Sequence, residues 1–276
     1  MSNVTAYRYM EVIVHLHSKA GLTQVCVFNE DYPARSRMGD VSSRIASTAI
    51  PTFHLDELEE IISTANALGV KTAIHLSEDA TALLFDNSQV IPHSVEHGTN
   101  ISEEGLHVLR NRSIYWVPTL AAYYTLDSQR WERASLIFQR ALTIEGLKIA
   151  CGGDTGVFSH GDNALELKLM VRLGADWRSV LQWATLCGWE CVRGLQWEGQ
   201  KGQVRIDRIS QLQEDARLTG DNDVPFGAIK TGFAADIIAT NFDLEEDFEK
   251  AVDSHSISFV MKGGRVFKRE GKEVSY

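Results

Sequence analysis

Apolar residues recur along the first two thirds of the chain in short strand-like runs separated by stretches of helical period. Glu11 to Ala20 has the spacing of a short helix that Gly21 would end, and Gln24 to Phe28 is a compact apolar run suited to a buried strand. A polar loop is expected from Asn29 to Thr52. Leu55 to Leu68 is helical in period with Gly69 as its stop, and Val70 to His75 is the next strand, which completes a βαβ unit.

The alternation goes on with a helix over Asp79 to Asn87, a strand at His93 to Glu96, a helix over Ser102 to Asn111 and a strand at Ile114 to Pro118. A long helical stretch, Ser128 to Glu145, leads to a strand at Lys148 to Cys151 that ends in Gly152-Gly153-Asp154. Repeated strand and helix of this kind predicts an α/β fold with a parallel sheet or barrel. Beyond Gly194 the pattern changes. Residues 196–225 are polar and glycine-containing and are expected to be a loop or insertion. Asp236 to Ala239 and Ile257 to Val260 then look like strands, with a hairpin at Gly263-Gly264 before Arg265-Val266-Phe267, so 226–276 is expected to be a small β appendage.

Composition narrows what such a fold can do. With 27 basic and 37 acidic residues, a net charge of −10 and no basic run, the chain is a poor partner for nucleic acid or an anionic membrane. Met1 to Met10 has no apolar core long enough for a signal or membrane segment, so a cytoplasmic protein is expected. The four cysteines, Cys26, Cys151, Cys187 and Cys191, form no CxxC pair and no disulfide framework, and reduced thiols are expected.

Three polar residues, His75, His97 and Asp154, fall where strands end. In a parallel α/β barrel those ends meet at one mouth, where two imidazoles and a carboxylate could hold a zinc ion that activates water. A histidine at a strand end can equally be a hydrogen-bonded structural residue.

Longer segments carry more information. Ser94-Val95-Glu96-His97-Gly98-Thr99 resembles the SxEHGT segment of metal-dependent amidohydrolases of the imidazolonepropionase and prolidase type, with Val117-Pro118-Thr119-Leu120 following. Gly152-Gly153-Asp154-Thr155-Gly156 is similar to their GTDAG segment, and His160-Gly161-Asp162-Asn163-Ala164-Leu165-Glu166-Leu167 to the HGxNxxEL after it. The run from Gly227 to Asp236, Gly-Ala-Ile-Lys-Thr-Gly-Phe-Ala-Ala-Asp, is similar to the GTIxPGKxAD of the family's small β-sandwich.

The resemblance implies a partial or rearranged (β/α) TIM-type barrel over 1–195, a loop or insertion over 196–225, and a β-sandwich remnant over 226–276. It makes His75 and His97 metal ligands and Asp154 a ligand or the acid and base that moves the proton. His160 and Tyr123 would line the substrate pocket, His160 with a catalytic part, or both would simply pack at the mouth.

The departures are specific. The family's lysine on its fourth strand aligns with Cys26, which could bind zinc as a thiolate or be a small buried thiol. The family's initial HxH pair has no counterpart. His15-Leu16-His17 is expected in the helix before Cys26, where residues two apart diverge by about 200° and would not chelate one ion, the alternative being a rebuilt HxH pair beside His75. The resemblance therefore implies at most one zinc ion, weakly held, and an absent first half whose exposed sheet edge calls for self-association.

Three functions follow as expectations. The first is a hydrolase acting on an amide or other carbon–nitrogen bond of a small molecule through metal-activated water. The second is a metal-independent acid/base enzyme, a lyase, isomerase or cyclase. The third is a non-catalytic relative.

Overall fold

The computed structural model describes residues 22–26, 55–76, 91–126, 128–154, 156–159, 161–213 and 224–275. They divide between two compact units, one comprising 1–118 with 132–149 and the other 119–131 with 150–276.

The first unit is built on a parallel sheet. Strands β1 (Leu22–Cys26), β2 (Lys71–Leu76), β3 (Ser94–His97) and β4 (Tyr115–Val117) pair in that order, with Cys26 opposite His75 and Leu76 opposite His97. Trp116 makes a further parallel bridge to Ile149, so the strand expected at Lys148 to Cys151 is reduced to a single pairing. Burial of both alternating sets in β2, where only His75 is partly exposed, is the mark of a parallel strand with both faces covered.

Helix α1 (Leu55–Ala67) buries Leu58, Ile62 and Ala65, spaced i, i+4, i+7. Gly69 follows in the left-handed region at φ 72°, where glycine pays no steric penalty. Helix α2 (Glu103–Asn111) starts at Ser102, whose hydroxyl accepts the Gly105 amide at 3.1 Å, and seats Leu106 and Leu109 in the core.

The second unit opens with α3 (Leu120–Leu126). Helix α4 (Ser128–Ala141) begins there and runs into the first unit, where it buries Ala134, Ile137, Phe138 and Ala141. Then come α5 (Ala164–Arg172), α6 (Trp177–Ala184), α7 (Leu186–Val192), a 3-10 turn at Leu195–Trp197 and α8 (Gly199–Ser210).

Helix α8 corrects the expected loop at 196–225. Gly202, Ile206 and Ile209 form a narrow buried stripe against Trp197, and the charged residues between them hide the helical period. Gly202 permits the contact, because a Cβ there would lie 2.0 Å from the Trp197 carbonyl.

The chain ends in an antiparallel sheet, β5 (Ile237–Thr240), β6 (Ile257–Lys262), β7 (Arg265–Arg269) and β8 (Lys272–Glu273), with α9 (Phe248–Ala251) between β5 and β6. The expected hairpin is present. Gly263 and Gly264 take φ of 56° and 80°, the two positive values that a tight primed turn demands.

The predicted helices over Glu11 to Ala20, with His15 and His17, and over Asp79 to Asn87 lie outside the described residues, as does most of the loop from Asn29 to Thr52.

Candidate functional site

Two imidazoles meet at the C-terminal ends of β2 and β3. The rings of His75 and His97 have centroids 4.1 Å apart and are inclined at 58°. His75 is partly exposed, while His97 is 7% exposed.

Register alone does not bring these rings together. Side chains opposite one another in a parallel pair share a face, and His75 stands opposite Glu96, while His97 stands opposite Leu76. An extended residue 97 would therefore project on the Leu76 side. Instead His97 has φ 68°, which swings its Cβ by about half a turn from an extended residue's direction. Such strain in a non-glycine residue costs about 1–3 kcal/mol and persists where its surroundings enforce it.

The enforcement is visible. Trp116 Nε1 donates to the His97 carbonyl at 2.8 Å, and the Gly98 amide donates to Leu76 at 3.0 Å. Gly98 is itself left-handed, at φ 70°, and a Cβ there would come within 3.3 Å of Trp116 Nε1. Burial pushes the His97 imidazole down to about 4, so at neutral pH it is uncharged and keeps a lone pair. On the His75 face of β3, Ser94 donates to Glu96 at 2.7 Å.

In the second unit Asp154 is exposed and also left-handed, at φ 58°, directly after the bridging segment. Thr119, after β4, is left-handed as well, at φ 51°. Tyr123 is buried on α3. His160 lies outside the described residues, but its neighbours Ser159 and Gly161 line a cleft of about 620 Å³, together with Phe158, Asp162, Lys168 and Asp253. Lys168 donates to Asp253 at 2.9 Å and holds that carboxyl well below the usual range. Cys26 ends β1, opposite His75.

Glu166 lies in the segment similar to HGxNxxEL, and the resemblance implies no role for it. It is 1% exposed on α5 and accepts the amides of Leu120 and Ala121 at 3.0 and 2.6 Å, while desolvation pushes its carboxyl up to about 8 despite those bonds. The available signal was an acid at i beside buried Leu169 and Met170 at i+3 and i+4.

The resemblance in sequence implies a bound metal. The histidine pair fits one in donor chemistry, since zinc takes neutral imidazoles. Among the described residues, however, no group of three or more His, Cys, Asp and Glu side chains is placed to hold an ion.

The known proteins this chain resembles agree with that architecture. It is 22% identical to the ochratoxinase of Aspergillus niger over 249 residues, 84% of this chain and 45% of that protein, so it spans about half the length of the curated relatives it matches. The crystal structure of A. niger ochratoxinase superposes with a TM-score of 0.66 at 21% identity, over 90% of this chain and 51% of that one. A Xaa-Pro dipeptidase with methionine bound in its active site gives 0.64 at 22% identity, over 89% and 54%. A zinc-bound adenosine deaminase from Xanthomonas campestris gives 0.56 at 15% identity, over 95% and 64%. No protein-family model matches the chain.

The fold is similar to that of solved amidohydrolases, a Xaa-Pro dipeptidase and ochratoxinase. Ochratoxinase is similar to this chain in both sequence and structure.

Proposed function

We propose that this chain carries the strand-end residues of a hydrolase acting on an amide bond of a small molecule. The observation that supports the reading is the His75–His97 pair, two imidazoles 4.1 Å apart with one kept neutral by burial. A metal ion bound there would supply Lewis acidity and lower the pKa of water. His75 and His97 would hold it, and Cys26 is a proposed further donor. Asp154 carries the proton between water and the leaving amine. Tyr123 and His160 are proposed to contact the substrate.

The names of the relatives give the substrates to try first, Xaa-Pro dipeptides and ochratoxin. The test is metal analysis of the purified chain together with hydrolysis of those substrates by wild type and His97→Ala. About one zinc per chain with hydrolysis, both lost in the variant, is the expected result. Absence of hydrolysis in zinc-loaded wild type ends the proposal.

A second reading is acid and base catalysis by the same side chains without metal. Activity that survives exhaustive chelation selects it.

A further inference from the structure

Leu120 and Ala121 open α3, and the first amides of a helix have no acceptor within it. Such amides are usually satisfied by the side chain just before the helix. Here the acceptor comes from 46 residues away, with Glu166 Oε1 3.0 Å from the Leu120 nitrogen and Oε2 2.6 Å from that of Ala121. A carboxyl group accepting two adjacent amides fixes both the position and the orientation of a turn.

Ala121 neighbours the segment that carries Asp154. A Cβ on Gly153 would stand 2.8 Å from Phe158 Cζ and 3.7 Å from Ala121 Cβ, so Gly153 sits close under Phe158 with the Ala121 methyl group beside it. The next residue, Asp154, is held at φ 58°.

We propose that Glu166 is the positioning residue for Asp154, its carboxyl fixing the Leu120–Ala121 turn that lies beside Gly153. This rests on the reading of Asp154 as the proton carrier. Glu166 touches no reacting atom in this scheme, so its loss should change turnover and leave substrate affinity nearly intact.

Glu166→Gln keeps one acceptor and sets an NH2 group against the other amide, so one bond is lost in an almost unchanged volume. With a Xaa-Pro dipeptide, kcat is expected to fall about tenfold while KM stays within about twofold. An unchanged kcat, or a loss entirely in KM, overturns the proposal.

Wild type offers a test free of folding defects. In amide NMR spectra taken from pH 6 to 10, Leu120, Ala121, Gly153 and Asp154 should share one titration as Glu166 ionises. Cys151, a titratable group near Glu166, is pushed well above the usual thiol range by burial and falls outside that step. Any other pattern, including still Gly153 and Asp154 signals, overturns the proposal. If wild type hydrolyses nothing, the proposed function fails while a shared titration still supports the mechanical link.

Discussion

The imidazole of His97 reaches that of His75, 4.1 Å away, although the strand register places His97 opposite Leu76. The left-handed backbone at His97, held by the Trp116 indole, produces the encounter. The sheet thus stores local strain at its C-terminal edge, and what it obtains there is a pair of nitrogen donors on neighbouring strands.

If that pair is the heart of a metal site, replacing either ring must be costly. His97→Ala and His75→Ala are each expected to weaken zinc binding by more than about tenfold, because either leaves a single imidazole donor. Competition titrations with a zinc chelator measure this, and wild type should take up at most one ion per chain. Affinity unchanged in both variants would remove the pair from any metal site.

Gly98→Ala should be destabilising out of proportion to one methyl group. The residue sits at φ 70°, where an L side chain costs roughly 1–2 kcal/mol, and its Cβ would crowd Trp116 Nε1 at 3.3 Å. Urea unfolding should report at least that loss. Equal stability would show that the His97–Gly98 turn can relax without penalty.

Glu166 predicts a pH signature. Its carboxyl ionises at about 8 in the folded chain against 4.5 for the ordinary group. Its contribution to stability is therefore complete below 4.5 and is lost as pH rises through about 8. Wild type minus Glu166→Gln, measured by denaturant unfolding at several pH values, should decline across this window by a few kcal/mol at most, since one unit corresponds to about 1.4 kcal/mol. A flat difference would mean that Glu166 is ionised throughout.

Gly202→Ala should disrupt the aromatic core of the second unit. A methyl group 2.0 Å from the Trp197 carbonyl cannot be accommodated without moving backbone, and overpacking of this kind costs about 1–3 kcal/mol or more. Trp189 and Trp197 stand edge to face at 5.9 Å, so tryptophan fluorescence together with thermal unfolding follows the loss. A variant with native fluorescence and melting would show that the turn before α8 is pliant.

The sequence by itself marked strands β1 to β4 with helices α1, α2 and α4 and the Gly263-Gly264 hairpin, but not α3, α5 to α7 or α9, and it marked His75, His97 and Asp154 as strand-end residues. Those features are local: period, capping serine and stop glycine act within a few residues of the structure they specify. It misjudged α8, whose buried stripe of Gly202, Ile206 and Ile209 is too narrow to stand out among charges. Tertiary structure alone decided that His97 turns toward His75, because that depends on an indole 19 residues away holding one backbone angle against its preference. It decided equally that Glu166 serves α3, since a carboxyl group finds two orphan amides 46 and 45 residues distant only when packing has buried them together.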